Sequence, residues 1–282
     1  MMSRSVWNWL ALPMVLAFAA IFIPAIASFV LTSFHPSTGL GEVGPEWTLD
    51  NYVRVFNDET FMLGLARSVQ LGIFTVLGTL ILGAPLAYFI ARQPSRFAIG
   101  VFTLLYVSSL TSIVIRGLGW ITLLGNNGPI NQALMGLGLI EAPIGLQGNM
   151  LGLTIAMVHY MLPFMVLTLL PVVQSIPTSL EEASAGLGGG FVRTARSVVI
   201  PLAMPGIVAG ALLVFAMTIS AFVIPRMVGG STLRLTSLLI DQQMLTTYNY
   251  ALGATLATIL LALVVGVVVL SNLATRSRVR VG

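Results

Sequence analysis

Six apolar runs divide this chain, each long enough to cross the hydrocarbon core of a bilayer, which takes about 20 residues of helix. They fall at Trp7–Phe34, Ser68–Ala91, Phe97–Leu124, Met150–Ser175, Pro201–Pro225 and Ala251–Ala274. Several hold interior prolines, among them Pro13, Pro24, Pro85 and Pro163. Membrane helices tolerate proline where neighbouring helices satisfy the freed carbonyls, so a packed bundle is favoured over isolated anchors. Composition agrees, with 57% hydrophobic and only 8% charged residues, against about 25% charged in a soluble domain. The expectation is an all-α integral membrane protein with six transmembrane helices. It divides into a first helix with an outer loop (1–66), a main membrane core (67–272) and a short tail (273–282).

All thirteen positive charges are Arg, and Cys is absent. Without Lys the chain has no GxxxxGK[ST] phosphate loop, so any ATP it uses is bound by another subunit. Without Cys it has no disulfide, thiolate metal site or cysteine nucleophile. Arginine placement predicts orientation. Arg4, Arg92, Arg96, Arg193, Arg196, Arg276, Arg278 and Arg280 share one side if the N-terminus is cytoplasmic. By the positive-inside rule both termini are then cytoplasmic. Arg4, the apolar run and Ala25-Ile26-Ala27 together look like a signal peptide. The run continues through Phe29 to Phe34, longer than an ordinary signal core, so an uncleaved first helix is expected.

Between spans two are outer loops with local order. Residues 49–56 read as a short amphipathic interfacial helix, and a second short helix is expected around Ile130–Met135. The segment between spans four and five differs in kind. Residues 181–205 read EEASAGLGGGFVRTARSVVIPLAMP, polar sequence between two apolar spans. Thr178 and Ser179, each followed three residues later by Glu181 or Glu182, fit a capping box. Leu180, Ala183 and Leu187 recur at three and four, giving one apolar stripe. Gly188, Gly189 and Gly190 stop that helix, and a second helical piece is expected over Phe191–Val199 before Pro201 opens span five. Two short helices joined at a glycine elbow, facing the cytoplasm, make a docking surface.

The spacing resembles the E-A-A loop of permease subunits of binding-protein-dependent ABC importers, whose pattern is E-A-A-x3-G-x9-I-x-L-P. Glu182, Ala183 and Ser184 occupy the first triplet, Gly188 the glycine, and Val198, Ile200 and Pro201 the end. Ser184, Val198 and Ile200 depart from the pattern by residues of similar size, and Gly189 and Gly190 predict a looser elbow than the family has. Asn51-Tyr52, Gly83-Ala84-Pro85-Leu86-Ala87-Tyr88, Leu162-Pro163-Phe164 and Pro225 with Gly229-Gly230 are similar to spermidine/putrescine-type permeases. The resemblance implies the type I importer fold in a bacterial inner membrane. It implies a second, related permease, two ATPase subunits that bind ATP and Mg, and a periplasmic solute-binding protein, with membrane lipid around the bundle and no nucleic acid. This chain would bind no cofactor itself. Glu182 is the expected polar organiser of the loop, with Leu187 beside the elbow.

Inside the spans polar residues are few. Arg116 is a candidate for the pathway or for snorkelling to the outer headgroups. His159 and Tyr160 are candidates for the pathway or for inter-helix hydrogen bonding, and Phe222 for an outer gate. No acid falls inside any span, which argues against a secondary transporter coupled to protons or sodium. His35 and His159 lie on different segments, which argues against a membrane enzyme. The resemblance favours a polyamine substrate, with another organic solute or an anion as the alternative.

Overall fold

The computed structural model describes residues 4–93, 95–230 and 232–279, with side chains described between 12 and 273. Arg276 and Arg278 lie in helix without described side chains, and Arg280 lies outside the described residues. Among the described residues five helices are long and apolar enough to span a membrane, or six if one bent pair counts as a single span. Among the described residues no strand forms; residues Ser37 and Val43 make one isolated antiparallel bridge.

By contact the chain falls into two compact units, residues 1–63 with 239–263, and residues 64–238 with 264–282. The return of 239–263 to the first unit has no mark in the sequence.

In the first unit, α1 (Arg4–Thr32) leads to α2 (Asp50–Asn57), the short helix expected at 49–56. The Asn51 amide explains why these two helices stay together: its Nδ2 donates to the carbonyls of Ser33 and His35, at 3.1 and 2.8 Å. Tyr52 Oη lies 2.6 Å from Ser33 Oγ. Val55, Phe61, Leu239, Leu252 and Leu256 form the small core beneath. The described side chains of α1 present Met14, Leu16, Phe18 and Ile21 outward, all more than half exposed, as suits a helix whose solvent is lipid.

The second unit is built on α7. Helix α3 (Glu59–Arg92) enters it, followed by α4 (Arg96–Leu110), α5 (Ile113–Leu124), α6 (Pro129–Gly136) and α7 (Met150–Ser175). Leu153, Met157, Met161, Met165 and Leu169 of α7 are almost wholly buried and form the spine of the main core. After α8 (Thr178–Gly186) and α9 (Phe191–Thr194), α10 (Ile200–Ile219) packs along α7. That approach needs glycine. A Cβ on Gly206 would meet Val172 at 2.8 Å, and one on Gly210 would meet the Met165 sulfur at 2.8 Å. Small residues four apart let membrane helices close on one another where no hydrophobic drive separates lipid from side chain. Helices α11 (Thr236–Asp241) and α12 (Tyr250–Val279) complete the chain. The tail expected from 273 is therefore helical through Val279.

Span two begins at Glu59, ahead of the expected Ser68, and spans three and five differ from expectation in kind. Span three, expected continuous over Phe97–Leu124, is broken at Thr111-Ser112, and its two parts diverge by 103°. The run Ser108-Ser109-Leu110-Thr111-Ser112 is apolar enough to count as span. Its hydroxyls, however, offer the backbone local alternatives to the helix ladder, and Thr111 and Ser112 take extended conformations. Span five starts earlier than Pro201. One continuous helical path runs Phe191–Ile219, passing through a π-helical turn at Ala195–Val199 in which the Ile200 amide bonds back to the Ala195 carbonyl. Pro201, which lacks an N–H, follows directly on that wider turn at the start of α10.

Candidate functional site

The loop between α7 and α10 has the expected outline: helix α8, a glycine elbow, then α9. The elbow is set by Gly188, whose φ of +81° lies in the left-handed region. The Gly188 amide donates to Ala185 and the Gly189 amide to the Ser184 carbonyl, both at 2.9 Å, closing the end of α8. The looseness expected from three glycines is braced by a side chain. Ser184 Oγ lies 2.8 Å from Thr194 Oγ1, joining α8 to α9 across the elbow. Thr194 is buried.

The capping box does not form. Pro177 is the N-cap residue of α8 and no side chain caps the helix. Thr178 and Ser179 are already inside the first turn, one step too late to serve the free amides. Glu182, Ala183 and Leu187 face outward, and Leu187 is 88% exposed. With Phe191 at 70% and Val192 at 77% exposed, they give the loop an apolar surface edged by the exposed Glu182, Arg193 and Arg196. A groove on this surface is lined by Leu180, Ala183, Ser184, Leu187, Arg193 and Val198, among others. Ile200 and Pro201 lie exposed where α10 begins.

The acid that organises the loop internally is Glu181, not Glu182. Arg92, the last residue of α3, donates from Nε to Glu181 Oε1 at 2.8 Å, and its terminal nitrogen lies 2.6 Å from the same oxygen. Tyr88 Oη, one turn earlier on α3, donates to Glu181 Oε2 at 2.6 Å. Arg92 also donates to the carbonyl of Ile176, the C-cap of α7, at 3.0 Å. Both charged side chains are mostly buried, 13% and 15% exposed. The Tyr88 ring meets the edge of the Phe191 ring at 5.7 Å. Tyr88 and Arg92, four apart and therefore on one helix face, were the signal for this cluster, but nothing in their spacing names Glu181 as the partner.

A second polar cluster lies in the membrane core. Arg116 is only 7% exposed, so its side chain turns inward and does not snorkel. It donates to the carbonyl of Ser108 at the end of α4, and its guanidinium carbon lies 5.0 Å above the Tyr160 ring. The Ser108 carbonyl accepts the Thr111 amide at 3.2 Å, closing the end of α4, and the guanidinium one turn into α5 reaches it as a second donor. One turn further along α5, Trp120 Nε1 donates to His159 Nδ1 at 3.2 Å, with the rings 5.4 Å apart. Thus Arg116, Trp120, His159 and Tyr160 form one seam between α5 and α7. Phe222, in the turn after α10, is 38% exposed and shares no hydrogen bond or ring contact with the seam. Among the described residues no group of three or more His, Asp or Glu is arranged to hold a metal ion.

Comparison with known proteins agrees with this architecture. Residues 80–277 match the family model described as binding-protein-dependent transport system inner membrane component. The spermidine/putrescine transport system permease protein PotB of Escherichia coli strain K12 is 32% identical over 250 residues, covering 89% of this chain and 90% of that protein. The molybdenum transport system permease protein ModB of Azotobacter vinelandii is 31% identical over 170 residues, covering 60% of this chain and 74% of that protein. Among solved structures, a bacterial alginate ABC transporter in complex with an alginate pentasaccharide-bound periplasmic protein has a chain with a TM-score of 0.78. It is 17% identical, with 97% of this chain and 95% of that one covered. The chain belongs to the binding-protein-dependent transport system inner membrane component family and is the permease subunit of an ABC importer.

Proposed function

We propose that this permease forms half of the translocation pathway for a polyamine or similar small organic solute, and receives the force of ATP hydrolysis through the 178–201 loop. The observation that carries the coupling reading is the apolar surface of that loop, with Leu187 88% and Phe191 70% exposed on a polar segment. An exposed apolar patch with charged residues at its edge is the usual character of a protein contact. The partners are a second, related permease, two ATPase subunits that hold ATP and Mg, and a periplasmic solute-binding protein. Both termini and the loop face the cytoplasm of a bacterial inner membrane, in keeping with the arginine distribution.

The substrate class rests on the likeness to permeases named for spermidine and putrescine. One observation favours a second reading, an anionic solute. The membrane seam carries Arg116 and His159 and no carboxylate, and a relative is named for molybdenum transport.

The coupling reading is tested at Glu182, which is exposed. Glu182→Lys should leave insertion and pairing with the second permease intact while the ATPase is lost from the purified complex and binding-protein-stimulated hydrolysis falls. Normal retention of the ATPase and normal transport in this variant would make the loop a linker.

A further inference from the structure

The glycine elbow poses a mechanical problem. A loop that transmits a push must be stiff, yet Gly188, Gly189 and Gly190 stand between its two helices, and glycine is the softest backbone available. Behind α9 the packing is also incomplete: an apolar cavity is lined by Ala84, Tyr88, Leu169, Val173, Phe191 and Val199, among others. The second piece runs on into span five and Ser184 bridges the elbow to Thr194, so what remains to be held is α8 against the bundle. The end of α3 supplies that contact. Arg92 holds Glu181 of α8 and the Ile176 carbonyl of α7, and Tyr88 holds Glu181 by its hydroxyl and Phe191 of α9 by its ring. One helix end thus grips both pieces of the loop and the end of the preceding span.

We propose that Tyr88, Arg92 and Glu181 are positioning residues that lock the 178–201 loop to α3, so that a displacement of the loop moves span two directly, a span to which the chain does not connect it. The inference rests on the reading of the loop as the ATPase-docking surface and adds the route by which its motion enters the membrane. The chemistry suits the task. Both oxygens of Glu181 are used, and both partners are at most 15% exposed, so water competes weakly for the pair. Two-point hydrogen bonding by a guanidinium fixes orientation as well as distance. The shared carboxylate opposes sliding of α8 along α3, and the Tyr88–Phe191 contact opposes rotation of α9 about the elbow. The elbow then serves as the corner the clamp needs, since a straight helix could not present Glu181 and Phe191 to one side chain.

The absence of Cys makes a direct test available. Spin labels at Gln93→Cys, just past α3, and Ala185→Cys, on the exposed face of α8, report whether the two elements move as one in the complex with partner permease, ATPase and binding protein. The expected result is one narrow distance distribution, unchanged between nucleotide-free and ATP-bound states. Adding Glu181→Gln should broaden it, and should lower binding-protein-stimulated hydrolysis by roughly fivefold, the lower end of ordinary coupling between sites, with the ATPase still retained. Arg92→Lys, which keeps the charge but cannot hold Glu181 and the Ile176 carbonyl with one planar group, should broaden the distribution as Glu181→Gln does. A narrow distribution and unreduced stimulation in Glu181→Gln would overturn the clamp while leaving the docking reading untouched. Loss of the ATPase from Glu181→Gln would also overturn it, because Glu181 would then be a docking residue. Failure of the unsubstituted loop to hold the ATPase would instead remove the docking reading, and with it the force this clamp is proposed to pass on.

Discussion

Ser184 Oγ and Thr194 Oγ1 lie 2.8 Å apart across the glycine elbow. Ser184 is where this chain departs from the second alanine of the E-A-A pattern, and Thr194 is buried with its hydroxyl turned to the contact. A β-carbon on Gly189 would press the Ser184 carbonyl and hydroxyl at 2.7 Å, so the adjacent glycine is what allows the two helices this close. The departure from the pattern and the extra glycine therefore form one local arrangement.

Removing that hydroxyl should loosen the elbow without disturbing the bundle. Ser184→Ala leaves Thr194 Oγ1 buried without its partner, at a cost of about 1–3 kcal/mol. The expected outcome is faster hydrogen exchange over 184–194 than in the unsubstituted chain, with exchange in α7 and α10 unchanged. Thr194→Val, which removes the buried hydroxyl together with its need for a partner, should be milder than Ser184→Ala. Equal exchange in all three proteins would mean the contact does not brace the loop.

Gly188 separates backbone strain from packing. No atom lies within 4 Å of a β-carbon placed there, yet its φ is +81°. Gly188→Val should therefore be penalised by conformation alone, by about 1–2 kcal/mol, and Gly188→Asn much less, because Asn tolerates the left-handed region. Thermal unfolding of the assembled complex and ATPase retention should both rank Gly, Asn, Val in falling order. A Val variant equal to the Asn variant would show that the positive φ is not required for docking.

Arg116 should be sensitive to shape and not only to charge. It donates to the Ser108 carbonyl while lying over the Tyr160 face, a combination a planar guanidinium makes and an ammonium does not. Arg116→Ala should lower the stability of the detergent-solubilised complex by about 1–3 kcal/mol, because the hydrogen bond to the Ser108 carbonyl and the contact with the Tyr160 face are lost together. Arg116→Lys should recover less than half of that loss. If Arg116 also lines the pathway, the substrate concentration for half-maximal transport should shift even at temperatures where both variants stay folded. Stability and transport that are both unchanged in Arg116→Ala would remove both roles.

The spans and loop outline were readable because they rest on local causes. A run of apolar residues must be helical in lipid whatever surrounds it, so Met150–Ser175 and the short helices at 50–57 and 129–136 follow from composition and period alone. The turn at Gly188 follows likewise from a residue type that tolerates positive φ. The break in span three was not readable, because hydropathy counts Ser and Thr as tolerable and says nothing of where their hydroxyls bond.

The linear chain by itself determined that this protein is a helical membrane bundle with a polar glycine-elbowed loop between its fourth and fifth spans. Lipid imposes internal hydrogen bonding on every span, and spacing along one segment is local information. Tertiary structure alone decided which side chains meet. Glu181 and Glu182 are neighbours with the same chemistry, and only the folding of the chain across the 89-position separation of Arg92 and Glu181 turns one of them to the end of α3 and leaves the other to solvent. Arg116 likewise had equal access in principle to headgroups or interior, until the break in its span left a carbonyl within reach and the Tyr160 face above it.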